Sequence, residues 1–277
     1  MPQRISLHLS LRPWWQDHSF AGRAVLPAVE TMLLLAQAAA TLRPELDLRL
    51  MEQATFAKFL AIPPDLAGLD ALVEWHTDKD GALEIKLLSR IQGKPISRVQ
   101  EHGGLCFPGQ PPPDQPSPAV APPPWSGPLI AIPAEKIYQE LVPFGPSYRS
   151  LQGTLHLSDT EARGALLAPV LPVSSAMAGV LGSPFPLDGA MHAACVLGQR
   201  LVDFVPFPVG IARRRIICPT HPGGHYSTRV QLTRHIPEEL VFDLVIDDTN
   251  GQICETVTGL RMRDVSGGRI KPPSWIK

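Results

Sequence analysis

Asp17-His18-Ser19-Phe20-Ala21-Gly22-Arg23-Ala24-Val25-Leu26-Pro27 places a histidine, a glycine and a proline at HxxxGxxxxP spacing directly before a strongly apolar run. Histidine has the side-chain pKa nearest neutrality, so one held at the mouth of a buried helix is a natural proton acceptor. Gly22 permits a backbone path closed to other residues, and Pro27 suits a helix start, where a missing N–H is harmless. From Ala28 to Ala40 only Glu30, Thr31 and Gln37 interrupt the apolar residues, which predicts a buried helix. A lone histidine beside a helix start is more often structural than catalytic, so a second site is needed.

Pro186-Leu187-Asp188-Gly189-Ala190-Met191-His192 opens a second apolar helix that runs to about Phe204. Asp188 and His192 are spaced to share one helix face within mutual reach. Taken alone, Asp188 reads as a helix N-cap, a position aspartate favours. If the two helices lie side by side, however, His18 and Asp188 become a base and an acid at one place.

Around these helices the chain reads as two similar halves. The 31 prolines concentrate between Pro108 and Pro128, where neither helix nor sheet is sustainable, so an extended connector is expected there. The first half, residues 1–107, has strand-like runs near Leu48 to Leu60, Ala71 to Thr77, Ala82 to Arg90 and Pro95 to Phe107, with turn candidates at Asp80-Gly81 and Gln92-Gly93. The second, residues 129–277, has a short helical pattern at Ala134 to Leu141 and strand-like runs at Leu151 to Leu157 and Ala162 to Leu167. Beyond its apolar helix come runs at Val209 to Ile217, His225 to Thr233, Val241 to Asp247 and Gln252 to Met262, with Asn250-Gly251 marking the last hairpin. Both halves place a buried helix before antiparallel strands, which predicts an α+β fold of two sheets, each wrapped around a helix.

Composition narrows the class. At 277 residues, 44% hydrophobic and 18% charged, the chain reads as globular and large enough to bury a sizeable core. A net charge of −1 gives no electrostatic argument for nucleic acid or an anionic membrane. Cys106, Cys195, Cys218 and Cys254 form no CxxC pair and read as reduced core residues. His221 and His225 lack partners at ligand spacing, so no metal is expected. With no signal-peptide pattern and no apolar run approaching the ~20 residues of a membrane span, a cytoplasmic protein is expected.

The HxxxGxxxxP stretch, the DxxxH stretch and Phe144-Gly145-Pro146-Ser147-Tyr148, in this order, resemble the dehydratase domain of polyketide synthases and related fatty-acid synthases, a double-hotdog fold. Phe204-Val205-Pro206-Phe207-Pro208-Val209-Gly210-Ile211 is similar to the strand after the second helix in that family. The family usually has Tyr where this chain has Phe144 and Phe where it has Tyr148, so the chain lacks a hydroxyl at the first position. With no synthase module flanking it in the sequence, the chain is read as a freestanding unit.

The resemblance implies removal of water from a 3-hydroxyacyl thioester to give a 2-enoyl thioester in polyketide or fatty-acid biosynthesis. His18 would take the C2 proton, and Asp188, kept protonated by burial, would donate to the leaving hydroxyl. His192 would hold Asp188, with Gly22, Pro27, Phe144, Gly145, Pro146 and Tyr148 in support; backbone N–H groups near Gly22 or at the helix starts would polarise the thioester. No cofactor is implied, because the acyl chain arrives on the phosphopantetheine of an acyl carrier protein or on coenzyme A. Arg213, Arg214 and Arg215 are candidates to meet that carrier, against the plainer reading of a solvated strand face. Homodimers are frequent in the family. Competing readings keep the fold but make it an isomerase or cyclase of polyketide thioesters, a thioesterase, or a non-catalytic carrier-binding protein.

Overall fold

Alternating polar and apolar residues from Gln3 to Ser10 suit an edge strand, and the chain begins with one. The computed structural model describes residues 2–91, 98–110, 125, 129–172 and 177–277. Strand β1 (Gln3–Ser10) leads through a 3-10 turn (Pro13–Asp17) into the short strands β2 (Ser19–Phe20) and β3 (Arg23–Ala24), then helix α1 (Ala28–Leu42). Strands β4 (Leu50–Thr55), β5 (Gly68–Thr77), β6 (Leu83–Ile91) and β7 (Arg98–Phe107) follow. The second half runs through β8 (Ile130–Pro133), α2 (Ala134–Lys136), β9 (Leu151–Leu157), β10 (Glu161–Leu167), α3 (Ala178–Leu181) and α4 (Phe185–Leu201). It ends with β11 (Phe207–Ile216), β12 (His225–Ile236), β13 (Glu239–Asp248) and β14 (Ile253–Arg263). The expected connector, apart from residues 108–110 and 125, and the Gln92-Gly93 turn lie outside the described residues.

The long strands form a 12-stranded antiparallel sheet in the order β1-β5-β6-β7-β4-β11-β14-β13-β12-β10-β9-β8. The halves of this sheet meet edge to edge, Gly210 opposite Thr55 and Arg214 opposite Met51, which removes two exposed strand edges at once. Helix α1 packs on β6 and β7, α4 packs on β9, β10, β12 and β13, and the two helices touch each other. Every residue of α4 from Phe185 to Gln199 is buried, as an apolar helix at the centre of a wrapped sheet must be. Each buried Leu, Met or Phe on these helices contributes about 1.5–3 kcal/mol. Asp80-Gly81 and Asn250-Gly251 turn their hairpins as expected, with Asp78 and Asp248 accepting backbone N–H groups within them.

One expectation is met with a detail added, and two change. The pattern at Ala134 to Leu141 is α2 followed by a widened π turn, Ile137–Leu141, closed by the Val142 N–H on the Ile137 carbonyl at 2.8 Å. Asp188 is not an N-cap, because α4 begins at Phe185 and Asp188 sits inside its first turn. Arg214 cannot meet a carrier: strand alternation points it inward, where it is 1% exposed and its Nε and Nη2 donate to both carboxylate oxygens of Glu255 at 2.7 and 3.2 Å. Arg213 remains outside and pairs with Glu52 across the seam at 2.6 Å. Among the described residues no helix is long and apolar enough to cross a membrane.

Candidate active site

Ser19 pairs with Ala24 and Phe20 with Arg23, so Ala21 and Gly22 form a two-residue turn. Both have positive φ, 49° and 76°, as a type I′ hairpin requires; Gly22 adopts it without the strain that Ala21 bears. The hairpin sets His18 against Val25: the Val25 N–H donates to the His18 carbonyl at 2.9 Å, and His18 Nδ1 lies 3.1 Å from the Val25 carbonyl. A carbonyl only accepts, so Nδ1 carries the proton and Nε2 keeps its lone pair. The HxxxG spacing is therefore the geometry of a hairpin that fixes a histidine tautomer. Pro27 ends the hairpin, its carbonyl accepting the Thr31 N–H and hydroxyl at 3.0 and 3.1 Å.

A latch from the second half encloses this histidine. The Gly145 N–H donates to the Asp17 carbonyl at 2.7 Å, and the Ser147 N–H to Asp17 Oδ2 at 2.9 Å. A Cβ on residue 145 would lie 2.4 Å from Asp17 Oδ1, so only glycine allows this approach. Pro146 then starts a 3-10 turn ending at Tyr148. The latch lays Phe144 against the His18 ring, centroids 4.2 Å apart, and sets Tyr148 edge-on at 5.2 Å. Burial pushes His18 down to about 4, outweighing the opposing pull of Asp188, so the ring is neutral near pH 7.

On α4, Asp188 and His192 face the same space. His192 Nε2 lies 2.9 Å from Asp188 Oδ2, off the line of a hydrogen bond, so the pair is in close contact without being tied. Tyr138 holds the other side of the imidazole: its hydroxyl accepts the Leu151 N–H at 2.8 Å and sits 3.3 Å from His192 Nδ1. With its oxygen already accepting, Tyr138 has its proton to donate, which places the His192 proton on Nε2, toward Asp188. Phe144 lies between the two histidines, 5.1 Å from His192.

A cavity of about 230 Å³ joins these groups, lined by His18, Asp188, His192 and Phe144, with Phe20, Phe59 and Phe207 also on its wall. Of the residues singled out in the sequence, the structure therefore brings His18, Asp188, His192 and Phe144 together. Gly145, Pro146 and Tyr148 act behind them. Gly22 is exposed at the turn and does not itself line the cavity, although its neighbour Ala21 does. Arg213, Arg214 and Arg215 lie off the cavity, along the seam with Leu50 to Glu52. Asp17 and Tyr138 carried no spacing signal, since each works only through contacts distant in sequence. His102 also lines the cavity, but its nitrogens face Ser89 Oγ at 2.7 Å and the Lys58 carbonyl at 3.1 Å, leaving neither for substrate.

Solved structures share this architecture. The dehydratase domain of a mycocerosic acid synthase-like polyketide synthase aligns with a TM-score of 0.73 at 15% identity, over 96% of this chain and 92% of its own. A bifunctional dehydratase-cyclase domain from ambruticin biosynthesis aligns at 0.69 and 19% identity, over 95% and 91%. The dehydratase domain of PpsC from Mycobacterium tuberculosis, solved in complex with C12:1-CoA, aligns at 0.68 and 19% identity, over 95% and 93%. At these identities the likeness shows the fold, a double hotdog. No curated protein matches the chain. A family model described as the polyketide synthase dehydratase N-terminal domain matches residues 117–270, more than half of the sequence. The chain belongs to the polyketide synthase dehydratase family.

Proposed function

We propose that the protein removes water from 3-hydroxyacyl thioesters, with His18 as base and Asp188 as acid. The observation that supports this most directly is that a neutral imidazole from one half and a buried carboxyl from the other line one small cavity. In the proposed step His18 Nε2 takes the C2 proton, the C2–H electrons form the C2=C3 bond, and the C3–O bond breaks. Asp188 gives its proton to the departing oxygen, which leaves as water. The imidazolium and carboxylate so formed return to their starting states by proton exchange with solvent. His192, oriented by Tyr138, positions the Asp188 carboxyl.

In this reading the halves 1–107 and 129–277 are the two hotdogs, and the chemistry belongs to the interface between them. The acyl chain comes on phosphopantetheine, from a carrier protein or coenzyme A, and the step takes no cofactor. Lys58 and Lys271 line the cavity and supply the positive charge for the carrier's phosphate that Arg214 does not. A cytoplasmic location and a homodimer complete the proposal.

The test is mass spectrometry of 3-hydroxyacyl chains loaded on an acyl carrier protein. Loss of the mass of water is expected with the wild type, and is expected to be slowed by about 10²–10⁴-fold in His18→Ala or Asp188→Asn. No water loss from wild type across chain lengths and both C3 epimers would sink the reading. An unchanged mass with a moved double bond or a new ring would favour isomerase or cyclase instead.

A further inference from the structure

Helix α4 presents Asp188, Met191, His192, Cys195 and Gln199 to the cavity just described. At the same intervals along α1, Glu30, Leu33, Leu34, Gln37 and Thr41 line a second cleft, of about 470 Å³. Glu30 thus stands on its helix where Asp188 stands on the other, as expected when one fold is used twice. The dehydration step gives Glu30 no part, yet a carboxyl is costly to bury unless its neighbours compensate it.

Those neighbours come from both sides of His18. Trp14 Nε1 donates to Glu30 Oε1 at 3.3 Å, and the Arg12 guanidinium lies 5.9 Å from the Trp14 ring. The buried Trp15 indole N–H lies near the same carboxyl, short of full hydrogen-bond geometry and with no other partner among the described residues. Trp14 and Trp15 belong to the 3-10 turn Pro13–Asp17, which ends immediately before His18. Backbone bonds join this turn to the histidine: the Trp15 N–H donates to the Arg12 carbonyl at 3.0 Å, and the His18 N–H to the Trp15 carbonyl at 3.2 Å. Asp17, at the end of the turn, is the residue that the Gly145 latch grips. From the latch, Tyr148 brings its hydroxyl near the Glu30 carboxyl, again without full hydrogen-bond geometry, while its ring stands edge-on to His18. Both segments that enclose His18 therefore place buried donors around one carboxyl of α1.

We propose that Glu30 is a positioning residue for His18: its carboxyl pins the Trp14–Trp15 turn to α1, and the turn sets where the imidazole stands in the first cavity. This rests on the reading of His18 as the base. The His18 side chain is tied by its bond to the Val25 carbonyl, so the rest of its placement comes from the backbone that carries it. A buried polar cluster rigidifies what it joins, and here it joins the turn before His18 to the helix after it. Of the two matching carboxyls, Asp188 thus faces the base and Glu30 steadies it from behind.

Two readouts on the full chain test this: kcat and KM for water loss, and the rate at which diethyl pyrocarbonate modifies His18, followed by peptide mass spectrometry. The second does not depend on catalysis. Glu30→Ala removes the acceptor and is expected to lower kcat by about 10–100-fold with KM little changed, the mark of a displaced reacting group. In the same variant His18 should be modified about tenfold faster, because the turn before it opens more readily. Glu30→Gln keeps an oxygen for Trp14 and should fall between Glu30→Ala and the wild type on both readouts. Trp14→Phe keeps the ring, removes the donor and should shift both readouts in the same direction; it serves if Glu30→Ala does not fold. Modification of His18 at the wild-type rate in Trp14→Phe and in the Glu30 variants that fold would overturn the proposal. So would lower stability in urea with kcat and the His18 rate unchanged, since Glu30 would then act on the fold alone. If the wild type removes no water, the dehydratase reading fails by itself, and the modification rates still decide whether Glu30 holds His18.

Discussion

At the start of α4, Asp188 faces a histidine that a tyrosine holds from behind; at the matching place on α1, Glu30 faces two tryptophans. Both carboxyls are buried on central helices, 4% and 8% exposed, and both line a cavity. The difference lies in what the opposite half contributes. Across from Asp188, the hairpin of β2 and β3 brings His18, and the Asp17–Gly145 latch closes over it. Across from Glu30 the wall is Pro184, Phe185 and Leu171, with no histidine from that half among the described lining residues. A duplicated fold thus carries two pockets, and a single hairpin with its latch sets a buried histidine in one of them.

The largest effect that separates the two ends is expected from Asp188→Asn, with a loss of about 10²–10⁴-fold in dehydration rate. Full activity in that variant would erase the distinction between the carboxyls. Gly145→Ala comes next, since its Cβ would sit 2.4 Å from Asp17 Oδ1 and must push the latch open. Overpacking of this kind costs about 1–3 kcal/mol, measurable by urea unfolding, and kcat should fall with it as Phe144 leaves the His18 ring. A stable and fully active Gly145→Ala protein would show that the latch does not set the difference.

The pH dependence sharpens the same comparison. Because burial holds His18 near 4 instead of the usual 6.5, the base stays competent well into the acid range, and kcat/KM should fall only below about pH 4. Stability follows the same group. The unfolded chain binds the His18 proton below about pH 6.5 and the folded chain only below about pH 4, so the contribution present above 6.5 is lost as pH falls across that window. His18→Ala should flatten that part of the stability curve. An acid limb at 6.5 in kcat/KM would mean that the latch leaves His18 solvated.

Much of this was legible in the sequence because it was local. The two buried helices came from periodic apolar runs, the strands of the wrapped sheet from runs between turn residues, and the proposed acid and base from motif spacing. Strand β1 was legible as well, since Ile5, Leu7 and Leu9 alternate with polar residues. What stayed hidden depended on distant partners. Arg214 looks like its neighbours until β11 is laid beside β4 and β14, where alternation buries it on Glu255. Asp17 and Tyr138 matter only because residues 145–147 and 192 reach them. Glu30 read as one of three polar interruptions in a helix, and only the cavity shows that it matches Asp188.

The effect with a change of sign, and with the smallest member of the series, comes from two tyrosines packed behind the first cavity. The Tyr138 hydroxyl accepts the Leu151 N–H and faces His192 Nδ1, so Tyr138→Phe strands a buried N–H and releases the imidazole. That should destabilise the fold by about 1–3 kcal/mol and lower kcat more than it changes KM, because His192 would no longer be fixed beside Asp188. Tyr148 is fully buried, and its hydroxyl lies near the Glu30 carboxyl without the geometry of a full hydrogen bond, so that burial first and then Glu30 push its pKa well up. Tyr148→Phe removes an unpaired oxygen while keeping the ring edge-on to His18, so stability should hold or rise by up to about 1 kcal/mol. A loss of stability in Tyr148→Phe as large as that in Tyr138→Phe would mean that this hydroxyl is hydrogen-bonded in solution, with Glu30 as the acceptor in reach, and would tie the second cleft to the first through a bond the geometry leaves open.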